Sequence, residues 1–183
     1  RQQGYPIRIS TDSWTHASKF SYDQIDTVTI AITGYTGSDP TLVVPQMINP
    51  YYEVTIIAPS AFRGSNTIQQ AYLPDSLTCI KESAFEDCNK LKMVHIPGSV
   101  HSIDANAFAQ CYQLRQVYLN EGIKEIHNFA FADCINLTSL YLPQSLEYID
   151  PEAFNGCARL TLIVKEGSFA HQYCLNTGRT HIV

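Results

Sequence analysis

The 183-residue sequence predicts a solenoid that is mainly β, with a parallel sheet on one side, short strands and turns on the other, and little helix. Two observations predict this fold: a repeat of fixed length, and an alternation of apolar and polar residues within each repeat. The repeat is marked by Ala-Phe pairs spaced 23 residues apart without interruption: Ala61-Phe62, Ala84-Phe85, Ala107-Phe108, Ala130-Phe131 and Ala153-Phe154. One such unit cannot bury its own apolar side chains, so stacked units must share a core.

Each repeat follows the pattern L-x-x-V-x-L-P-x-S-L-x-x-I-x-x-x-A-F-x-x-C-x-x. The opening L-x-x-V-x-L alternates at period two, which is typical of a half-buried strand, and equivalent strands stacked in one direction form a parallel sheet. A proline such as Pro97 ends the strand because it cannot donate the next ladder bond. A second apolar pair, such as Val100 and Ile103, then returns the chain along the other side.

The same 23-residue step predicts the places of Ile163 and Lys165 in the last repeat. The central column of the parallel strands is predicted to contain Val94, Val117, Leu140 and Ile163. Lys165 falls where the preceding repeat has Leu142, so the apolar stripe is predicted to end there.

The repeat array is predicted over residues 41–165, with a first coil enlarged by extra residues around Pro50. Residues 1–40 lie outside the repeat but contain a β-prone, alternating segment from Asp26 to Thr33. We therefore predict that residues 1–40 form an N-terminal β cap, since the exposed end of a solenoid must be covered.

Residues 166–183 are predicted to form the C-terminal cap. Ser168 is a suitable residue to begin a helix, and Gly178 is suited to end it. The segment Thr180-His-Ile-Val183 is then expected to add a last strand.

Composition and charge exclude several functional classes. The chain is 45% hydrophobic and 16% charged, which is a globular composition, and its formal net charge of −5 leaves no basic stripe for nucleic acid. No apolar run approaches the roughly 20 residues that a membrane-spanning helix needs. We expect no membrane span, and we expect any leader or anchor to lie outside this sequence. No phosphate-binding loop, paired-carboxylate pattern or nucleophile elbow is present, so no cofactor and no catalytic residue is predicted.

The repeat resembles the BspA-like, Treponema pallidum-type leucine-rich repeat, and the segment Leu137–Cys157 is similar to that pattern throughout. The opening around Ile32-Thr-Gly-Tyr-Thr-Gly37 also resembles the start of such arrays in surface proteins. Departures include Ser65 in the place of the first cysteine and Asn120-Glu121-Gly122 in the place of Pro-x-Ser, which we expect to alter single coil contacts and not the fold. The resemblance implies a leucine-rich repeat solenoid that serves as a secreted or cell-surface binding module, often an adhesin. It supplies no catalytic residues.

The phenylalanine and cysteine columns could be a thiol or metal site copied several times, or packing. A column shared by neighbouring coils points into the core, where free cysteine behaves as a small hydrophobe, so we predict packing. The predicted core columns are Phe62, Phe85, Phe108, Phe131, Phe154, Cys88, Cys111, Cys134 and Cys157. Cys79 occupies an otherwise polar position and is predicted to be exposed, and Cys174 is expected to share a helix face with His171. No third ligand accompanies that pair, so no metal site is predicted.

The exposed face of the parallel sheet is the predicted ligand-binding surface. Its outward residues flank the central residue of each strand: Gln70, Tyr72, Met93, His95, Gln116, Tyr118, Ser139 and Tyr141. One column is therefore Tyr, His, Tyr, Tyr, which could bind a protein or a sugar ring, or could stabilise the sheet by cross-strand contacts. Phe129 and Tyr148 interrupt polar columns elsewhere and are secondary candidates.

The sequence thus predicts a monomeric, non-enzymatic module at the cell surface or secreted, whose partner is a host or neighbouring-cell protein or glycan. One alternative is a structural spacer or scaffold whose partner contacts lie in residues 1–40 or outside the sequence. The other is a thiol or metal enzyme that uses Cys79 or Cys174.

Overall fold

The computed structural model describes residues 17–183, and within them the chain winds into the predicted β-solenoid with one helix near the C-terminal end. The elements are β1 (Phe20–Gln24), β2 (Thr29–Tyr35), β3 (Thr41–Val43), β4 (Met47–Asn49), β5 (Tyr52–Ile57), β6 (Gln70–Tyr72), β7 (Cys79–Ile80), β8 (Met93–Ile96), β9 (Ser102–Ile103), β10 (Gln116–Leu119), β11 (Glu125–Ile126), β12 (Ser139–Tyr141), β13 (Tyr148–Ile149), β14 (Thr161–Ile163), α1 (Phe169–Thr177) and β15 (His181–Ile182).

The strands form one hydrogen-bonded sheet on the back of the solenoid and two separate ladders on the front, which together are called the front sheet. The back sheet joins β1, β2, β5, β7, β9, β11 and β13 in that order, with β4 paired antiparallel to β5. The front sheet consists of two parallel ladders, β3-β6-β8-β10 and β12-β14-β15. Within the repeats, residues 23 apart pair directly, as Val94 does with Val117 and Ile103 does with Ile126.

The Ala-Phe turns join consecutive coils through main-chain hydrogen bonds. The Phe85 N–H donates to the Ala107 carbonyl of the next coil at 2.7 Å, and the Phe108 N–H donates to the Ala130 carbonyl at 2.8 Å. These turns use left-handed backbone at two recurrent positions, the first in four of the turns and the second in all five. The first position is occupied by Ser60, Ser83, Asn106 and Phe129, and the second by Gly64, Asp87, Gln110, Asp133 and Gly156.

The phenylalanine column forms the centre of the core. Its five rings run from Phe62 to Phe154, are at most 3% exposed, and stack with centroids 4.7 to 5.7 Å apart and planes within 16° of parallel. A tyrosine covers each end of the column: Tyr35 contacts Phe62 at 6.4 Å, and Tyr173 contacts Phe154 edge-on at 6.5 Å. The two caps therefore close the core with the same kind of side chain.

The cysteine column is buried beside the phenylalanines, and every member is a free thiol. Each thiol donates to the carbonyl of the phenylalanine in the preceding turn; for Cys111 and Phe85 the Sγ to oxygen distance is 3.2 Å. The equivalent bonds of Cys88, Cys134 and Cys157 measure 3.1, 3.3 and 3.0 Å. The column therefore packs the core and also hydrogen-bonds successive turns to one another.

The described parts of both predicted caps extend the sheets, whereas residues 1–16 of the predicted N-terminal cap lie outside the described residues. The hairpin of β1 and β2 joins the back sheet through a parallel pairing of β2 with β5, and Ile30 and Ile32 of β2 are fully buried. At the other end Ser168 caps α1 by accepting the His171 N–H, and Gly178 adopts the left-handed conformation that ends the helix. Along residues 17–183 no helix has the length and apolarity that crossing a membrane requires.

The 23-residue step gives the wrong register in the last coil. Leu140 pairs with Leu162 and Tyr141 pairs with Ile163, so the step is 22 residues there. Leu162 is fully buried and Ile163 is 38% exposed, which places Ile163 on the front face and not in the core column. The apolar stripe also does not end at Lys165, because Val164 takes the position of Leu142 and is buried.

Candidate ligand-binding face

The front sheet presents two columns of outward side chains. One column contains Gln70, Met93, Gln116 and Ser139, and the other contains Tyr72, His95, Tyr118 and Tyr141. All of them are exposed or partly exposed, because the alternate residues of the same strands fill the core. The register change adds Ile163 and Ile182 to the second column, with Ile182 59% exposed.

Three of the four predicted rings form one stack. The centroids of Tyr72 and His95 lie 5.5 Å apart with planes 17° from parallel, and those of His95 and Tyr118 lie 4.3 Å apart at 15°. Rings lying flat beside one another could not approach this closely, so they stand face to face along the solenoid axis. Burial in the stack lowers the pKa of His95, which keeps the imidazole neutral at physiological pH.

This orientation changes what the face can offer a ligand. The faces of His95 are covered by the two tyrosine rings, so the interior of the stack presents ring edges and not a flat platform. The next pair along the column, Tyr118 and Tyr141, forms no ring contact among the described residues. Tyr118 is 42% exposed. Its second face, directed toward β12, is therefore the ring surface that the stack leaves open.

Tyr141 does not continue the stack, and its hydroxyl donates to Glu121 Oε1 at 3.0 Å. Glu121 follows β10, and its carboxylate also accepts the main-chain N–H groups of Gln144 and Ser145, each at 3.1 Å. Partial burial acts to raise the pKa of the Glu121 carboxyl, but these hydrogen bonds outweigh burial and lower it. The carboxylate is thus charged near neutral pH and holds Tyr141 toward the turn.

The same turn interrupts the front sheet. Within the described residues β10 and β12 form no ladder pair, although β9, β11 and β13 remain paired behind them. Gly122 has φ +116°, and a Cβ placed there would lie 2.1 Å from the Gly98 carbonyl oxygen. The sequence Asn120-Glu121-Gly122, noted as a departure from the repeat, thus accompanies the break in the sheet.

The predicted exposure of Cys79 is wrong. The residue is only 9% exposed, because Ser102 and Asp104 of the next coil cover it, with Ser102 Oγ 3.0 Å and Asp104 Oδ1 3.6 Å from Cys79 Sγ. Burial raises the pKa of the Cys79 thiol, which leaves it protonated and weakly nucleophilic.

Cys174, the other cysteine outside the core column, does not form a site with His171. Cys174 is fully buried under the cap, and burial raises its pKa. His171 instead accepts the Gly167 N–H, and its ring contacts that of His181. Among residues 17–183, no three or more His, Cys, Asp or Glu side chains cluster as a metal site would require.

The secondary candidates lie away from the front sheet. Tyr148 is 41% exposed on the back sheet, where its hydroxyl donates to Asp150 and its ring contacts His127. Phe129 is partly exposed at a turn with φ 55°, an uncommon conformation for a bulky residue.

Sequence reasoning missed Ile163 and Ile182 on the front face and missed the role of Glu121. The first had a readable signal, because Leu160-Thr-Leu-Ile-Val164 alternates as L-x-L-x-V and so fixes which side chains point inward. The second had none, since the bond between Glu121 and Tyr141 depends on how two neighbouring coils meet.

Comparisons with known proteins agree with this geometry. A family model described as the BspA type leucine rich repeat region matches residues 46–171 in six copies. A leucine rich repeat protein from T. pallidum is 30% identical with a TM-score of 0.77, and the match covers 80% of this chain and 69% of that one. No curated protein matches the chain.

Two further structures are similar in fold. A leucine-rich repeat protein from Bacteroides ovatus is 24% identical with a TM-score of 0.66, covering 80% of this chain and 48% of that one. A leucine rich cell surface protein from Faecalibacterium prausnitzii is 21% identical with a TM-score of 0.54, covering 80% of this chain and 53% of that one. The chain therefore spans about half the length of these two proteins. With its repeats matched over residues 46–171, the chain belongs to the BspA type leucine-rich repeat family.

Proposed function

We propose that this protein is a non-enzymatic binding module, at the cell surface or secreted, whose front sheet contacts a host or neighbouring-cell protein or glycan. The observation on which the proposal depends is the stack of Tyr72, His95 and Tyr118, which places aromatic side chains on an exposed sheet face. Aromatic side chains with polar tips are the side chains most often found at the centres of binding surfaces.

The surroundings of the stack support this proposal. The neighbouring column, from Gln70 to Ser139, supplies amides and a hydroxyl that can hydrogen-bond a partner. The parallel strands beneath hold these side chains on a fixed spacing, so little conformational entropy is lost on binding. Family membership supports a surface location, since a similar protein from Faecalibacterium prausnitzii is described as a leucine rich cell surface protein. We propose that the module acts as a monomer without a cofactor.

The test is a binding screen with matched variants. Extracellular-matrix proteins and a glycan array are probed with the unmodified protein, and any ligand found is titrated against the triple variant Tyr72→Ala, His95→Ala, Tyr118→Ala. The control variant Tyr51→Ala, Tyr112→Ala also removes exposed tyrosines, both of them outside the front columns. We expect at least a tenfold loss of affinity for the triple variant and less than twofold for the control.

The spacer alternative predicts the opposite pattern. Deleting residues 1–40 would be a poor test of it, because Ile30 and Ile32 belong to the core and their loss would destabilise the fold. The exposed hairpin residues Ile25 and Val28 provide a better variant, Ile25→Ser with Val28→Ser. Loss of binding in this variant, with full binding retained by the triple variant, would reject the front face as the site.

A further inference from the structure

We propose that the break between β10 and β12 is a subsite for one neutral pyranose ring, which stacks on the open face of Tyr118. This inference rests on the proposed function and specifies which part of the front face binds and what chemistry it recognises. It follows from the orientation of the rings, the position of Tyr141 and the polar groups around the break.

The ring faces available to a ligand are restricted by the stack. A pyranose binds an aromatic ring through the C–H groups of one sugar face, which the electron-rich face of the aromatic ring attracts. His95 has tyrosine rings on both sides, at 4.3 and 5.5 Å, so a sugar has no access to its faces. Tyr72 is covered by His95 on one side and has Val43 as its register partner on the other. Tyr118 alone has a face directed into a break in the sheet.

Tyr141 does not stack on the open face of Tyr118, because its hydroxyl is bonded elsewhere. If Tyr141 repeated the arrangement of the preceding coils, its ring would lie against Tyr118 as Tyr118 lies against His95. Its hydroxyl is instead bonded to Glu121 in the turn that follows β10. The core beneath is slightly uncovered as well, since Val117 is 8% exposed whereas Val94 in the preceding strand is fully buried.

The groups around the open face are polar, which favours a sugar over an apolar side chain. Gln116 in β10 and Ser139 in β12 are exposed on either side of the break and offer an amide and a hydroxyl. The missing ladder between β10 and β12 also leaves main-chain groups that neighbouring strands would otherwise satisfy. A sugar ring needs one apolar surface and several hydrogen-bonding partners around its edge, and this arrangement provides both.

Charge selects among sugars. The Glu121 carboxylate stands at the end of the break, and its hydrogen bonds lower its pKa, so it is negatively charged at neutral pH. A sugar that bears a carboxylate would be repelled, and the site is expected to prefer neutral sugars.

The test uses saturation-transfer NMR and calorimetric titration with four neutral oligosaccharides as probes: maltopentaose, cellopentaose, mannopentaose and xylopentaose. We expect transfer to the C–H protons of one pyranose face for at least one probe. Tyr118→Ala should weaken binding at least tenfold, Tyr118→Trp should preserve it, and Tyr112→Ala, which removes an exposed tyrosine outside the front columns, should change it less than twofold. Thermal unfolding of each variant checks that the fold is retained.

Three results would overturn the subsite: no probe binds at millimolar concentration, Tyr112→Ala weakens binding as much as Tyr118→Ala, or a glucuronate oligosaccharide binds as tightly as the neutral ones. Tighter, Tyr118-dependent binding of N-acetyltyrosinamide than of any sugar would assign the break to a protein side chain and also reject the proposal. The proposed function is tested separately by the triple variant with a macromolecular ligand. That result can stand when the oligosaccharides fail, and it can fail when they succeed.

Discussion

Two columns of stacked rings run through the same coils, one in the core and one on the front face. The core column extends through five phenylalanines from Phe62 to Phe154, whereas the surface column ends after three rings at Tyr118. Both follow the same coil repeat, and their ring spacings overlap. The spacing of the coils therefore permits a ring stack in either place, and something else decides how far it continues.

The difference lies in the alternatives open to each side chain. A phenylalanine side chain has no polar group to hydrogen-bond, and its displacement from the core would open a cavity. The core stack therefore continues wherever the repeat does. Tyr141 on the surface loses little by leaving its column, and the Glu121 carboxylate offers its hydroxyl a hydrogen bond. The interior column thus follows from the repeat, whereas the surface column depends on single residues.

The largest expected effect is the loss of a ring from the core column. Phe108→Ala should lower the free energy of unfolding by about 3 to 5 kcal/mol, because Phe108 is fully buried between Phe85 and Phe131. Tyr118→Ala, which removes the end ring of the surface column, should cost about 1 kcal/mol or less. Urea denaturation of the two variants measures both values. Equal losses would mean that the surface stack stabilises the fold as much as the core does.

The cysteine column provides the next test of the interior. Cys111→Ala should lower the free energy of unfolding by about 1 to 2 kcal/mol, because it opens a small cavity and leaves the Phe85 carbonyl without the thiol donor at 3.2 Å. Cys111→Ser, which keeps a donor of smaller volume, serves as the comparison in the same denaturation experiment. An unchanged stability of the alanine variant would show that the thiol bond contributes nothing to the stacking of turns.

The same contrast explains what the sequence could predict. The core positions recur in every coil, so the spacing of the Ala-Phe pairs was enough to predict the solenoid, and the parallel strands with it. The error at Ile163 arose because a fixed 23-residue step was applied to a coil that is one residue shorter between Leu140 and Leu162. There the local alternation of apolar residues was the more reliable guide.

Surface contacts were less predictable because they depend on neighbouring coils. Cys79 lies in a column that also contains Ser102 and Glu125, which suggested exposure, yet the side chains of Ser102 and Asp104 cover it. The column of Tyr72, His95, Tyr118 and Tyr141 was identified from the period of the strands, but the period does not specify ring orientation. Nor does it specify that Glu121 removes Tyr141 from the stack.

Phe129 lies in neither ring column, and substituting it separates the energetic cost of its backbone conformation from the packing of its ring. It lies two residues before the core residue Phe131 but adopts φ 55°, which costs a bulky side chain more than it costs asparagine. Phe129→Asn should therefore raise the free energy of unfolding by about 1 kcal/mol. Asn106 occupies the same turn position one coil earlier with φ 56°, so Asn106→Phe should lower it by a similar amount. Thermal unfolding of the pair measures both, and destabilisation by Phe129→Asn would mean that packing of this ring outweighs the backbone cost.

The smallest expected effect concerns the residue that ends the surface column. The hydrogen bonds at Glu121 lower its pKa in the folded protein, so its contribution to stability is present above the unfolded value of about 4.3 and is lost as the pH falls through the folded pKa. Because the side chain is largely exposed, this contribution should be below about 1 kcal/mol. In urea unfolding between pH 3 and 7, the free energy of unfolding of the unmodified protein should rise relative to that of Glu121→Gln as the pH rises.

A second variant, Glu121→Ala, should release Tyr141 to pack on Tyr118, which ring-current shifts in the NMR spectrum of Tyr118 would report. If those shifts are absent although the pH-dependent stability is lost, the break in the sheet and not the carboxylate keeps the two rings apart.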